Sequence, residues 1–419
     1  MNLAALMARA AKSRPDNPAV YHGTRLIATY ADLGERVARL AGWLRGTAGL
    51  EPGDRVAFAM TNCPEFVEIL WACWHAGLVA VPINAKLHVS DFRYILGNSG
   101  ALMAFTTPDL ETDLDSIVGD LPGCERLLTA GSPEYAQTFA ASPIPMEPRR
   151  SDDLAWLFYT SGTTGRPKGA MLSHRSLMGC ILGYFSDIDE ITEDAHWLHA
   201  APMSHGGGCY GLPFVAACAA QVVPASGKFD PAEIADLLPH FTNLSFFAAP
   251  TMVKRMTEHP TTRTSDTSNL RTIVYGGGPM YVADAKAALT LLGPKLAQIY
   301  GQGECPMTIT ALGRHEFQDQ THAQFESRLG SAGRPFTNVE VMVADADDNP
   351  LPPGELGEVC VRGDLVMSGY WANPDASAET LRHGWLHTGD IGVFDEAGYL
   401  TLKDRSKDMI ISGGTNIYP

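Results

Sequence analysis

The sequence predicts an α/β protein, built as two doubly wound α/β subdomains plus a smaller antiparallel β-barrel-like subdomain. Three observations carry that expectation. Strand-like apolar runs alternate with helix-like segments in two separate stretches, the signature of parallel sheets. From about Asn338 the texture changes to short strands and turns. The chain's 419 residues also exceed what one hydrophobic core organises, so two or three packed subdomains are expected.

Taken in order, "MNLAALMARAAKSRPDNP" reads as a first helix ending at Pro15. It is short and lacks a cleavage-like site, which sets it apart from a transit peptide. "DRVAFAM" is a buried strand, "PEFVEILWACWHAG" a helix and "LVAVPIN" a second strand. "SDFRYILGNSG" follows as a helix capped by Ser90 or Asp91, then "ALMAFTT" as a third strand. The pattern recurs as "LSFFAAP", a helix from Thr251, "RTIVY", a helix at "YVADAKAALTLLG", and "LAQIY". "VEVMVAD", "DDNP" and "GELGEVCVRG" supply the short strands and turns of the β-rich part. The polar segments 143–153 and 261–269 are expected to be surface connections. The α/β part is placed at about 1–337 and the β-rich part at about 338–406.

Composition narrows the function classes. Forty-five per cent apolar and 19% charged residues describe an ordinary globular chain. A net charge of −16 argues against a nucleic-acid partner. The eight cysteines are scattered singly, without a CxxC or Cys/His cluster, so neither a zinc site nor a disulfide framework is expected. The longest apolar run, "PFVAACAAQVVPA", is too short for a transmembrane segment. These features together predict a soluble, cytoplasmic protein, with a homodimer as an allowed assembly.

Between the strand "DLAWLFYT" and the helix "SHRSLMGCILGYF", capped by Ser173, the ten positions from Thr160 to Gly169 carry no apolar side chain except a proline. A connecting turn needs only two to five residues. Gly162, Gly165 and Gly169 let backbone N–H groups approach an anion, and Ser161, Thr163 and Thr164 add hydroxyl donors. Lys168 adds a positive charge. Phosphate binding at a strand end is the functional reading, and a plain surface hairpin the structural one. The spacing is not that of a Walker A loop.

"YTSGTTGRPKG" resembles the signature loop of the adenylate-forming (AMP-binding) superfamily, which includes acyl-CoA synthetases. "YGGGPM", "YGQGE", "GELGEVCVRG", "GYWANP", "WLHTGD" and "KDRSKDMIISGGTNIYP" follow in that family's order. The resemblance extends over essentially the whole chain and implies the large N-terminal domain of an acyl-CoA synthetase, of fatty-acid or aryl-acid CoA ligase type. It assigns Thr160, Ser161, Gly162, Thr163, Thr164, Gly165 and Lys168 to the ATP phosphates, and Glu304 with Thr160 to Mg²⁺. Gly276, Gly277, Gly278, Tyr300, Gly301 and Gln302 fall to the adenine side. Asp390 would accept the ribose hydroxyls, and Arg405 would reach the ribose or α-phosphate. His205 falls beside the carboxylate and thiol path, with a structural histidine as the alternative. Lys168, Glu304 and His205 are thereby the catalytic candidates. One departure stands out: the family usually has Thr or Ser before the glutamate, and here that position is Gly303.

The implied reaction has two halves. A carboxylate attacks the α-phosphorus of ATP to give an acyl-adenylate and pyrophosphate, and the thiol of coenzyme A then displaces AMP. No Asp lies between Trp197 and Gln221 to hold a substrate ammonium, so an aliphatic or aromatic carboxylic acid is expected. Two alternatives stay open: an acyl-AMP ligase that loads a carrier protein, and a nucleotide-binding domain without full catalysis. Residues 407–419 read as the hinge, with Lys407 at its centre, and the start of a C-terminal domain of roughly a hundred residues. That domain normally supplies a second lysine, so weak or absent full turnover is expected of this length of chain.

Overall fold

The computed structural model describes residues 1–121, 123–160, 166–405, 410–412 and 415–417. Six strands form one sheet in the order Arg126–Thr129, Met103–Thr106, Arg55–Met60, Val79–Asn84, Leu154–Thr160 and Lys168–Ser173. The first five run parallel and the last is antiparallel. Val79–Asn84 is buried along nearly its whole length, as a strand covered on both faces must be. Its register with Arg55–Met60 runs unbroken through Pro82, whereas with Leu154–Thr160 it holds only at Ala80 and Trp156. Proline has no N–H for a ladder, and here the missing rung falls on the Leu154–Thr160 side.

Nine strands form the second sheet. Its centre, Leu296–Tyr300, Leu270–Tyr275, Leu244–Ala248, His196–Leu198 and Ala220–Val223, is parallel. The hairpin Pro18–His22 and Arg25–Thr29 closes one edge, and Thr310–Leu312 with Arg334–Pro335 the other. The sequence reading missed that N-terminal hairpin. Arg25 and Leu26 are exposed and the pairing carries a bulge, so the alternation that marks a strand is blurred.

A third, curled antiparallel sheet forms half of a barrel from Glu340–Ala344, Gly357–Arg362, Leu386–Phe394 and Leu400–Arg405. It is fastened to both large sheets. Leu400 N donates to Gly333 O at 2.8 Å, and Met171 N to Gly369 O at 2.9 Å.

Helix Pro64–His75 is buried on every side, so its apolar residues show no stripe. Trp74 donates from Nε1 to Ala155 O at 2.8 Å, tying it to the strand that carries Thr160. Asn2 reaches the carbonyls of Trp74 and Glu147, and Leu3 N donates to His174 Nδ1 at 3.2 Å. Helix Val89–Ser99 is capped by His88, not by Ser90 or Asp91. Asp91 instead returns a bond to the His88 N–H as the third residue of a capping box.

Candidate active site

Parallel strands of both large sheets end at one cavity of about 1830 Å³, with the antiparallel sheet forming a further wall. Residues 60–62, 82–87 and 158–160 come from the first sheet, 276–280 and 298–304 from the second, and 387–390 from the third. Ligands of open α/β sheets bind outside such carboxyl ends.

The loop that sequence reading set between a strand and a helix is the connection of a β-hairpin. Lys168 begins a strand of its own, Lys168–Ser173, paired antiparallel with Leu154–Thr160. Gly169 therefore has a packing reason. A Cβ there would stand 3.0 Å from the Tyr159 ring. Ser161, Gly162, Thr163, Thr164 and Gly165, and hinge residue Lys407, lie outside the described residues.

At the phosphate end of the expected site, Thr160 Oγ1 donates to Glu304 Oε1 at 3.0 Å. Tyr370 Oη donates to the same oxygen at 2.7 Å. Lys168 Nζ lies 4.3 Å from the centre of the Tyr370 ring. Burial and the charge of Glu304 push the Tyr370 phenol up, which keeps it protonated and donating. Gly303 fits this cluster sterically. A Cβ at 303 would sit 2.2 Å from Thr160 Cγ2 and 2.7 Å from Phe158 Cδ1, so Phe158 and Thr160 fill the space a hydroxyl residue would use.

At the other end, Asp390 is 5% exposed. Its Oδ2 accepts from Tyr300 Oη and Gln302 Nε2, both at 2.7 Å. Gln302 Nε2 also donates to Thr388 O at 2.9 Å. Tyr300, expected against adenine, thus also touches the carboxylate. Glu358 braces this segment: Oε1 accepts from Gly389 N, and Oε2 lies 2.9 Å from His387 Nδ1. Arg382 donates to Glu358 and Asp348 from the outer side. Glu358 and His387 sit in quoted motifs, yet their mutual contact spans 29 residues and leaves no local signal. The Arg405 backbone pairs with Asp390, while its side chain lies outside the described residues.

Gly276, Gly277, Gly278 and Gly301 also line the cavity, as does His205. Its ring meets that of Phe158 edge-on, centroids 5.3 Å apart, and Nδ1 is 2.9 Å from Ser204 Oγ. Burial pushes the imidazole down to about 4, so at neutral pH His205 is an uncharged hydrogen-bonding group. Phe247 and Met307 complete an apolar recess beside Gly206 and Gly207.

A cavity with a lysine at one end and a buried, braced carboxylate at the other suits an extended nucleotide. The family profile of AMP-binding enzymes matches residues 7–371. The chain belongs to that family, and its relatives include acyl-CoA ligases. Feruloyl-CoA synthases from Amycolatopsis sp and Streptomyces sp are 38% identical over 412 residues, covering 98% of this chain and 80% of theirs. The fatty acid–acyl-carrier-protein ligase ScoC of Streptomyces coeruleorubidus is 34% identical over 98% of this chain and 78% of its own. Among solved structures, the amide bond synthetase McbA of Marinactinospora thermotolerans superposes with a TM-score of 0.88 at 29% identity, covering 100% of this chain and 82% of that one. The N-terminal domain of FACL13 from Mycobacterium tuberculosis gives 0.85 at 27%, over 96% of this chain and 99% of that chain. The fold is therefore that of the N-terminal domain of acyl-CoA synthetases.

Proposed function

We propose that this chain carries the ATP-dependent activation of an aromatic carboxylic acid of the ferulate class, for transfer to coenzyme A. The observation that carries it is the placement of Lys168, Glu304, Asp390 and His205 around one cavity. Asp390 accepts the ribose hydroxyls, with Tyr300 and Gln302 fixing its orientation. Lys168 meets the polyphosphate and neutralises charge as pyrophosphate departs. Glu304 and Thr160 offer hard oxygen donors 3.0 Å apart, which fits Mg²⁺. Bound there, the ion would screen phosphate charge. His205, neutral and facing the apolar recess, holds the attacking carboxylate by hydrogen bonding. Phe247 and Met307 receive the hydrocarbon, and the feruloyl-CoA synthase relatives favour an aryl one. Need for ATP and coenzyme A fits a cytoplasmic setting, and sizing by light scattering tests a homodimer.

The test is a panel of ferulate, indoleacetate, and medium- and long-chain fatty acids, each with ATP and Mg²⁺, with and without coenzyme A. Within the panel, ferulate is expected to give the strongest coenzyme A-dependent AMP release, however slow. Preference for a fatty acid overturns the aryl assignment. The 34% identity to ScoC supports a second reading, in which a carrier-protein thiol is the acceptor. Acyl-AMP formation without coenzyme A-dependent release favours it.

A further inference from the structure

Tyr370 is 5% exposed and joins the two charged groups of the phosphate end without letting them meet. Its hydroxyl donates to Glu304 Oε1, and its ring carries the Lys168 ammonium on the π face. Among the described residues Lys168 has no carboxylate within 4 Å. Glu304 meets the hydroxyl end of the same ring. A lysine has four rotatable bonds and a flexible stem, so with the ring removed it can swing onto that carboxylate. An ion pair there would neutralise both groups, leaving the lysine less positive toward phosphate and the carboxylate less negative toward a cation. The backbone fixes the ring in place. Trp371 N donates to Gly169 O at 2.8 Å, and Met367 N to Glu304 O at 2.8 Å, so residues 367–371 bind the lysine's strand and the glutamate together.

We propose that Tyr370 is a positioning residue that acts as a spacer: its ring holds Lys168 away from Glu304, and its hydroxyl sets the plane of that carboxylate. The proposal rests on the reading of this cavity as an ATP site. Two hydroxyls, from Thr160 and Tyr370, converge on one oxygen of Glu304, which determines how the carboxylate is turned.

The ring and hydroxyl roles separate by substitution. Calorimetry on the whole chain should measure ATP with and without Mg²⁺, and AMP, for the parent, Tyr370→Phe and Tyr370→Leu. Tyr370→Phe keeps the spacer, so metal-free ATP affinity should stay within about twofold, while the Mg²⁺ needed for half-maximal tightening should rise roughly fivefold to tenfold. Tyr370→Leu should lower metal-free ATP affinity roughly tenfold as the lysine collapses. AMP, which has no polyphosphate, should bind all three alike. Adding Glu304→Gln to Tyr370→Leu should restore most of the lost metal-free affinity, because the lysine no longer has a carboxylate to fall onto. A merely structural tyrosine gives no such rescue. Absence of rescue, or equal loss of ATP and AMP, overturns the spacer. If Tyr370→Leu does not fold, an unchanged Mg²⁺ requirement in Tyr370→Phe overturns it. Failure of the parent to bind either nucleotide overturns the ATP reading itself, and the spacer with it.

Discussion

The two ends of the cavity hold a carboxylate in different ways. Asp390 is held by a phenol and an amide on one oxygen, within a sheet whose turn is braced by Glu358, His387 and Arg382. No hinge-like choice remains there. Glu304 is held by two hydroxyls, beside a lysine whose partner among the described residues is an aromatic face. One end is built to present a fixed acceptor, the other to keep opposite charges apart. The ribose end should therefore fail through loss of contacts, the phosphate end through rearrangement.

Asp390→Ala offers the strongest way to break that contrast. It removes the proposed acceptor for two ribose hydroxyls and takes one acceptor from Tyr300 and Gln302, so ATP and AMP should both weaken by about 2–4 kcal/mol. Pyrophosphate should bind as before in the same calorimeter, and a matching loss would make Asp390 a structural residue. Lys168→Ala should weaken ATP by about 1.5–3 kcal/mol and leave AMP nearly unchanged. Thermal melting should barely move, since this lysine holds no core. Gly303→Thr restores the family's usual residue but drives a Cβ into Thr160 and Phe158, at a cost in stability of about 1–3 kcal/mol. Denaturant titration measures it, and an unchanged midpoint would show that Phe158 moves freely.

The last effect concerns acid. Burial pushes His174, His199 and His205 each down to about 4. The folded state then binds fewer protons than the unfolded chain, whose histidines titrate at about 6.5. That stability is complete above pH of about 6.5 and is lost as pH falls toward about 4, with a slope of about 1.4 kcal/mol per pH unit for each histidine. His174 lies behind the phosphate hairpin, hydrogen-bonded to Leu3 N. His174→Gln should reduce the slope by about one proton. An unchanged slope in denaturant titrations between pH 4 and 6.5 would show that His174 is protonated when folded.

Much of this was legible in the residues. The βα alternation, the texture change near Asn338 and the ordered motifs sufficed for fold class and for the residues facing the cavity. What escaped were relations between distant positions. Tyr370 meets Glu304 across 66 residues, and no periodicity marks such a pair. Gly169 packs against the Tyr159 ring, and a glycine in sequence does not show that a side chain needs the room. Gly303 reads as a lost hydroxyl in sequence, and only the fold shows Phe158 and Thr160 filling that space.

Pro82 gives the cavity a property that hydrogen-bond arithmetic makes plain. A sheet parted along its length ordinarily exposes a row of donors that must find water or remain orphaned. At this seam the donor does not exist, so the ladder stops beside the cavity with no amide demanding hydration. Any other residue at 82 would bring an N–H to the same spot, which would either draw in a water molecule or pull Leu154–Thr160 back into register.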